Sequence, residues 1–507
     1  MFDQFDLFVE HVLINYRWLF VIFFLMPISL AFDVFYYTRN WIVFKLCSAP
    51  KLHEKKIRDV QRQVKEWQES GSGRQMCTAR PGWQTMSFKQ APYKSSMYKI
   101  NIHLVDVLEV NVEERYVRVE PAATMGQLTA TLVPLGWTLP VLPEMDDLTV
   151  GGLVMGTGIE TSSHKFGLFQ HICLAYEIVL SDGSIVTCSK ESDPDLFYSI
   201  PWSYGTLGFL LSVKIQIIPA LKYVKLEYEP VTSLKEACEV FQRQTFQKDD
   251  NQFVEGLMFS KEQGVIMTGN MTSTAEEHLV NRIGRWYKPW FFKHVQTKFN
   301  GEPRTEYIPL RDYYHRHTRS YFWEVQDIIS FGNHPLFRLL LGWMMPPKVS
   351  LLKLTQIPAI KKQYEQKHVI QDLLVPIEHL RDSILKFDKA VQVYPLWLCP
   401  FKLKPEPGLV NSRTTKEEMY VDVGVYGVPK VANFKPVETT RDIEEFVRKV
   451  KGYQMLYADT YTTRTEFRKM FNHSLYDEVR TRLRCKEAFP EIYDKVKKNY
   501  KAVASEL

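Results

Sequence analysis

The stretch LTVGGLVMGTGIETSSHKFG, residues 148–167, places five glycines and several hydroxyl side chains within an otherwise apolar run. Glycine has no β-carbon and adopts positive φ angles, so neighbouring backbone N–H groups can turn towards a phosphate or a flat ring. Tight turns between strands produce similar runs. The sequence on either side therefore decides between a cofactor cradle and a set of simple turns.

An uncharged apolar segment runs from Trp18 to Phe32 and extends to Tyr37 if Asp33 is tolerated. About 20 such residues cross a bilayer. Roughly a dozen apolar side chains outweigh one off-centre aspartate, which costs at most about 3 kcal/mol. We predict one N-terminal transmembrane helix, an anchor at residues 18–38.

Charges beside this anchor predict its orientation. Acidic residues precede it, and the residues that follow are basic: Arg39, Lys45, Lys51, Lys55, Lys56 and Arg58. The positive-inside rule places residues 1–17 in the lumen and the bulk of the chain in the cytosol. A cleaved signal peptide is the alternative, with Ser29 and Ala31 near a cut site. The acidic start and the basic flank favour a retained anchor.

Patterns after the anchor indicate a mixture of strands and short helices. Tyr116–Glu120 and Phe209–Ile218 read as strands, and Asp182-Gly183 marks a hairpin turn. Thr124 and Gln127 form a capping-box pattern at the start of a short helix. Strand, glycine loop and helix in this order predict an α+β fold.

The order of these elements resembles the vanillyl-alcohol-oxidase-like FAD-binding domain, also called the PCMH type. Its landmarks lie between residues 116 and 210: YVRVEPAATMGQLTATL, GWTLPVLP, TVGGLVMGTGIETSSHKFG, AYEIVLSDGS and DLFYSIPWSYGTLGFL. The resemblance implies a two-subdomain FAD-binding domain at residues 44–220 and an α/β substrate cap domain at 221–430. Residues 431–507 then return to the flavin domain and end in a tail.

The resemblance also implies which residues hold FAD. Backbone donors of the glycine stretch face its diphosphate and ribityl parts, and Arg80–Trp83 is the second phosphate-contacting turn. Related oxidases often carry a flavin-linking histidine in that turn; none occurs here, so we predict non-covalent FAD. His164 is predicted to be a polar loop residue. The candidate cofactor-binding residues are Thr149, Val150, Gly151, Gly152, Leu153, Val154, Met155, Gly156, Thr157, Gly158, Ile159, Glu160 and Thr161.

Within that family the chain looks most like the sterol reductases, and this likeness covers essentially its whole length. RPGW, PEMDDLTVGGLVMGTGIE, SSHKFGLFQHIC, YYHRHTRS, VYPLWLCP and QMLYAD carry it. The implied reaction uses NADPH, through FAD, to reduce the carbon 24–25 double bond of a sterol side chain. An unactivated alkene has no carbonyl to polarise, so the protein must align it and supply a proton. The implied location is the endoplasmic reticulum membrane, with Golgi membrane also open.

The second half concentrates aromatic and basic residues in YIPLRDYYHRHTRSYFWE, residues 307–324. Tyr314, His315 and His317 are candidate catalytic acids, and Arg316 is a candidate to bind the NADPH phosphate. The alternative is a helix face or strand whose polar groups are satisfied within the fold. No GxGxxG motif follows a strand, so NADPH is expected to dock transiently over the flavin.

Two further segments have open interpretations. Residues 335–347, PLFRLLLGWMMPP, are too short to span a bilayer; they predict a buried helix, a sterol-tunnel lining or a membrane contact. Tyr457, Asp459 and Tyr461 are plausible flavin-edge residues, with core packing as the alternative. The basic tail from Lys495 is predicted to be a solvated helix end.

Composition limits the other functions. Hydrophobic residues make up 45% and charged residues 24%, as in globular proteins. A net charge of +6 without long basic tracts excludes a nucleic-acid footprint, and seven scattered cysteines predict no metal site and no disulfide scaffold.

An oxidase of the same fold lacks support because its C-terminal His-Trp-x-Lys element is absent. The intact TVGG argues against a flavin-free membrane scaffold. The sterol and the membrane are the expected partners, and other enzymes of sterol metabolism remain open.

Overall fold

The structure is a computed structural model that describes residues 16–87, 91–247, 251–300, 304–354 and 356–498. Most of the predicted lumenal segment, residues 1–15, and the end of the predicted tail, residues 499–507, lie outside the described residues.

Strands occupy both halves of the described chain. In order they are β1 Met76–Thr78, β2 Tyr98–Ile100, β3 Val107–Asn111, β4 Tyr116–Val119, β5 Trp137–Thr138, β6 Cys173–Val179, β7 Ile185–Ser189, β8 Phe209–Gln216, β9 Ile218–Pro219, β10 Tyr223–Val231, β11 Phe253–Met258, β12 Gly264–Thr272, β13 Thr305–Pro309, β14 Val369–Pro376, β15 Leu396–Leu403, β16 Glu418–Gly427 and β17 Tyr453–Gln454.

Helices connect and cover these strands. In order they are α1 Arg17–Lys45, α2 Ala49–Glu69, α3 Met125–Leu132, α4 Val150–Met155, α5 Ser163–Phe166, α6 Pro194–Ser199, α7 Leu234–Phe246, α8 Phe291–Gln296, α9 Leu310–Tyr314, α10 Val325–Ile328, α11 Pro335–Leu341, α12 Val349–Leu354, α13 Pro358–Lys367, α14 Leu380–Ala390, α15 Pro436–Lys449, α16 Arg464–Met470, α17 Ser474–Arg482, α18 Cys485–Ala488 and α19 Ile492–Val496.

A five-stranded antiparallel sheet, in the order β3-β4-β8-β6-β7, organises the first half. The apolar run of β8 is buried along most of its length, and β8 lies between β4 and β6 in the middle of the sheet. Gly183, at φ +79°, makes the tight turn between β6 and β7. Thr124 caps α3 by accepting a hydrogen bond from Gln127 N at 3.1 Å, as the capping pattern predicts.

An eight-stranded antiparallel sheet, in the order β13-β10-β12-β11-β15-β16-β14-β17, forms the second half. Side chains alternate between the two faces of a strand. Asp372 of β14 lies opposite Gly424 of β16, so Asp372, Asp422 and Tyr426 share one face. The sheets and helices confirm the α+β class.

Residues Arg17–Lys45 form one helix that is long and apolar enough to cross a membrane. A π-helical turn at Val21–Leu25 precedes Pro27, whose ring cannot donate a helix hydrogen bond. One side of α1 packs on the body: Met26 is fully buried, and Ser29 Oγ accepts a hydrogen bond from Lys348 N at 2.9 Å. The opposite side exposes large apolar side chains, including Phe23, Phe24, Ile28, Phe32 and Phe35.

Helix α2 fixes the anchor to the five-stranded sheet. Ile57, Val60 and Val64 form its buried stripe, whereas Leu52 is 40% exposed and lies outside it. The Lys56 Nζ lies 2.6 Å from an Asp106 oxygen and 2.7 Å from a Glu120 oxygen, and both carboxylates are fully buried. His53 also pairs with Glu120, and Arg39 of α1 with Asp106.

Candidate functional site

The glycine stretch forms helix α4 and the loop that follows it. Thr149 begins the helix by accepting a hydrogen bond from Gly152 N. Gly151 N donates to Pro121 O at 2.7 Å, and a Cβ on Gly151 would lie 2.8 Å from the Pro121 Cβ. Gly152 is exposed, and a Cβ there would meet only the Thr149 hydroxyl within 4 Å. Packing therefore requires Gly151, whereas Gly152 leaves an open surface.

Two buried side-chain oxygens of this stretch, Thr157 Oγ1 and Glu160 Oε2, lack a hydrogen-bond partner among the described residues. The Thr157 hydroxyl is buried and makes no hydrogen bond with the described residues. The Tyr204 hydroxyl lies 3.4 Å from where a Cβ on Gly156 would be. Because buried polar groups are normally hydrogen-bonded, the unpaired hydroxyl suits a stretch that receives a polar ligand.

Lysines surround the space beside the Arg80–Trp83 turn. Lys353 Nζ donates to Gly82 O and to Ser87 O, each at 2.6 Å, and Lys495 Nζ donates to Tyr204 O. Burial lowers the pKa of Lys495 to about 8, and burial together with the Arg80 charge lowers the pKa of Lys353 to about 8. Their hydrogen bonds in the described chain are to neutral oxygens.

Arg80 is a further cation at this turn. Its side chain keeps exposed surface, yet the surrounding protein lowers its pKa through desolvation. Desolvated cations that bond neutral oxygens favour an anion such as a diphosphate, so the residues present fit the cofactor class that the glycine stretch predicts. Lys495, expected on a solvated helix end, instead belongs to this enclosed cluster.

His164 has both ring nitrogens occupied. Nδ1 lies 3.0 Å from Thr161 O, and Nε2 lies 3.0 Å from Asn251 O. Burial lowers its pKa to about 4. The ring therefore connects the end of the glycine stretch to the second half.

The three predicted catalytic residues lie in separate environments. The Tyr314 hydroxyl accepts a hydrogen bond from Thr138 at 3.0 Å, and burial raises the pKa of Tyr314 above its usual range. His315 Nδ1 lies 2.5 Å from the Asp146 carboxylate. His317 is fully buried, and its ring stacks on Phe322 at 4.4 Å. Chain proximity brings them near one another, but they do not converge on one point.

Arg316 joins the glycine stretch to the eight-stranded sheet. Its guanidinium lies 3.2 Å from the Glu160 carboxylate and 2.8 Å from that of Glu255 on β11, and all three side chains are fully buried. Although burial opposes ionisation, Arg316 and His317 hold the pKa of Glu255 well below its usual range. The Arg316 charge is thus neutralised internally and does not face an external phosphate.

A second buried carboxylate cluster was not identified from the sequence. The Tyr426 and Tyr457 hydroxyls both donate to Asp372, on opposite carboxylate oxygens. Neither oxygen of the nearby Asp422 has a hydrogen-bond partner among the described residues. Burial raises the pKa of Asp372 to about 6 and that of Asp422 well above its usual range. The available signal was a carboxylate within each of the buried runs VIQDLLVP and YVDVGVY.

One group of side chains has the composition of a metal site. Ligand atoms of Glu324, Asp327 and His368 lie within 4.8 Å of one another. Burial opposes protonation of His368, but the Glu324 and Asp327 charges raise its pKa to about 9. At neutral pH the group is therefore an ion-pair cluster, in which the protonated His368 ring takes the place that a metal cation would occupy.

The glycine stretch and the cations Arg80, Lys353 and Lys495 fit a flavoprotein. The FAD binding domain family model matches residues 55–189. Over 490 residues the chain is 58% identical to the Delta(24)-sterol reductase of Homo sapiens, covering 96% of this chain and 95% of that protein. It is 48% identical to a Delta(24)-sterol reductase homolog of Caenorhabditis elegans, covering 96% of each. The chain belongs to the delta(24)-sterol reductase family.

The likeness to an oxidase is confined to one part of the chain. L-gulonolactone oxidase of Mus musculus is 30% identical over 133 residues, which is 26% of this chain and 30% of that protein. Similarity to the reductases, in contrast, covers 96% of this chain.

Proposed function

We propose that the protein reduces the carbon 24–25 double bond of a sterol side chain with NADPH and non-covalent FAD. The observation that carries this proposal is the extent of the likeness to delta(24)-sterol reductases, which covers 96% of the chain. The oxidase likeness reaches only 26%. The chemistry that bound FAD supplies is hydride transfer, from NADPH and then to the sterol.

The residues of the glycine stretch, Thr149 to Thr161, are proposed to hold the FAD. Gly152 offers the open backbone surface, and the buried Thr157 hydroxyl offers an unused polar group. Lys353 and Lys495 contribute positive charge near the diphosphate. Tyr314, His315 and His317 remain predicted catalytic residues. If the Tyr314→Phe and His315→Asn variants kept full turnover and full flavin retention, the catalytic assignments of Tyr314 and His315 would be rejected.

The membrane is proposed as the source of the sterol. Helix α1 is apolar, and its Asp33 is linked to the predicted cofactor site through Lys348, whose Nζ lies 2.6 Å from both the Asp33 and the Asp147 carboxylates. Asp147 is two residues before Thr149. We propose a single-pass anchor in the endoplasmic reticulum, or also Golgi, membrane, with residues 1–17 lumenal and the catalytic part cytosolic.

Anaerobic turnover tests the proposal. The full chain is purified in detergent, its visible flavin band is recorded, and NADPH oxidation is followed with and without a delta-24 sterol. We expect sterol-dependent NADPH oxidation and a product lacking the double bond. No sterol-dependent oxidation would reject the reductase, and rapid oxygen consumption with an alcohol or lactone substrate would support the oxidase.

A further inference from the structure

A carboxylate held between two tyrosines lies where the cap sheet meets the turn after Arg80. Asp372 of β14 accepts one hydrogen bond on Oδ1 from Tyr426 and one on Oδ2 from Tyr457. Tyr426 belongs to the neighbouring strand β16, and Tyr457 follows β17 on the other side of β14. The two hydroxyls therefore hold the carboxylate from both sides.

The backbone around this cluster leaves room for these contacts. Gly424 lies opposite Asp372 in the sheet, and a Cβ on Gly424 would collide with the Tyr426 hydroxyl and lie 2.9 Å from Asp372 Oδ1. The Met455 N–H donates to Asp372 O at 3.0 Å. That bond fixes the segment carrying Tyr457 against β14. The fold therefore sets the arrangement of Asp372, Tyr426 and Tyr457.

Tyr457 is the member of the cluster that reaches open space. Asp372 is 4% and Tyr426 6% exposed, whereas Tyr457 is half-buried. Desolvation by the surrounding protein raises the pKa of Tyr457 well above its usual range. Ser87 Oγ donates to Tyr457 O at 2.6 Å, which places the Tyr457 backbone beside the 82–87 turn.

We propose that Tyr457 is the general acid that protonates the sterol double bond, and that Asp372 and Tyr426 are positioning residues that orient and reload it. This inference rests on the function proposed above. The Tyr457 O–H bond breaks as the π electron pair forms a new C–H bond, while the Asp372 carboxyl proton moves to the Tyr457 oxygen. The cationic carbon then takes a hydride from the reductant, which is oxidised.

The products of this relay match the observed hydrogen bonds. Asp372 is left as a carboxylate that accepts from both tyrosines, and hydrogen bonds to a charged acceptor are about twice as strong as neutral ones. This stabilisation favours release of the proton towards the substrate. Solvent returns a proton to Asp372 before the next turnover.

The relay requires protonated Asp372 and therefore predicts a pH dependence. Burial raises the pKa of this carboxyl to about 6. The titratable groups that face it are Tyr426, Tyr457 and Asp422, with Glu144 beyond Asp422. Burial raises the pKa values of Asp422 and Glu144 well above their usual range. Turnover of the wild type is expected to fall as pH rises above about 6.

Single-turnover kinetics on the full chain in detergent test this assignment. In Tyr457→Phe we expect unchanged flavin absorbance and unchanged anaerobic flavin reduction by NADPH, but flavin reoxidation by a delta-24 sterol slowed by about 10² to 10⁴-fold. Asp372→Asn is expected to slow reoxidation and to abolish the alkaline fall. The control is Tyr420→Phe on β16, whose hydroxyl donates to Lys451 O at 3.2 Å. This variant should match the wild type.

Each other outcome has a definite meaning. Wild-type reoxidation in Tyr457→Phe overturns the inference and leaves the proposed function intact, and so does loss of flavin or of its reduction by NADPH. If Asp372→Asn fails to fold, Tyr457→Phe alone decides. A wild type that never oxidises NADPH with sterol rejects the proposed function and this relay with it.

Discussion

Neighbouring glycines 151 and 152 have different structural roles. A Cβ on Gly151 would lie 2.8 Å from the Pro121 Cβ and 3.0 Å from its carbonyl oxygen, whereas Gly152 is exposed. We expect Gly151→Ala to lower the free energy of unfolding of the flavin-free protein by about 1 to 3 kcal/mol through overpacking. Gly152→Val should leave it within about 0.5 kcal/mol, because glycine and valine differ little in helix propensity.

Flavin retention separates the two substitutions. Gly152→Val should purify without the visible flavin band, since its side chain fills the space proposed for the cofactor, and thermal unfolding should show an intact flavin-free fold. A yellow Gly152→Val protein with normal turnover would contradict the assignment of this surface. The single variants are more informative than a double valine variant, which would mix a packing defect with a binding defect.

The sequence identified groups of residues that are neighbours along the chain. It did not identify groups that only folding brings together. The glycine stretch and the Thr124 cap follow from local patterns. Lys353 and Lys495 come from distant parts of the chain, and their local sequences resemble ordinary solvated helix ends. Asp372 and Tyr457 meet only because β17 pairs with β14, a register that no local pattern specifies.

At the scale of elements, the ion pairs of α2 predict how firmly the anchor is attached. Removing Lys56 leaves less compensation for Asp106 and Glu120, both fully buried. Breaking a buried pair costs about 3 to 5 kcal/mol, so we expect Lys56→Met to lower the thermal unfolding midpoint markedly. The matched control is Arg62→Ala on the same helix, whose pairs with Asp59 and Glu66 are exposed and contribute little because solvent screens them. Equal effects of both variants would contradict this role of the buried network.

The His368 cluster ties α10 to the start of β14 and predicts a pH-dependent stability. The folded-state pKa of about 9 exceeds the ordinary 6.5, so its contribution is complete below pH 6.5 and is lost as pH rises through 9. The unfolding free-energy difference between wild type and His368→Gln should shrink by on the order of 3 kcal/mol across this range. Denaturant titrations at pH 6.5 and 9 measure it. A difference that stays constant with pH would contradict the ion pair.

For the whole molecule, the sequence predicted the α+β class and the order of anchor, cofactor-binding and second-half segments. It predicted less well how these segments pack against one another. Periodicity identified α1 as apolar, but could not show that one side of it would contact Lys348 and Asp106 of the body. Likewise, residues 335–347 had three open interpretations. The fold places α11 beside the anchor, where Phe331 contacts both Trp18, at 5.1 Å between ring centroids, and Phe337.

This arrangement makes one apolar surface from α1 and α11 and predicts the route of the sterol. Leu336, Leu340 and Trp343 are 63%, 65% and 50% exposed, next to the exposed face of the anchor. A charge placed on a membrane-facing surface costs about 1 to 3 kcal/mol. We therefore expect Leu340→Asp to raise the KM for vesicle-embedded sterol about tenfold or more with kcat unchanged, because the surface docks less closely. The control is Leu385→Asp on α14, which is also exposed. An equal rise in KM for both variants would show that α11 has no special contact with the membrane.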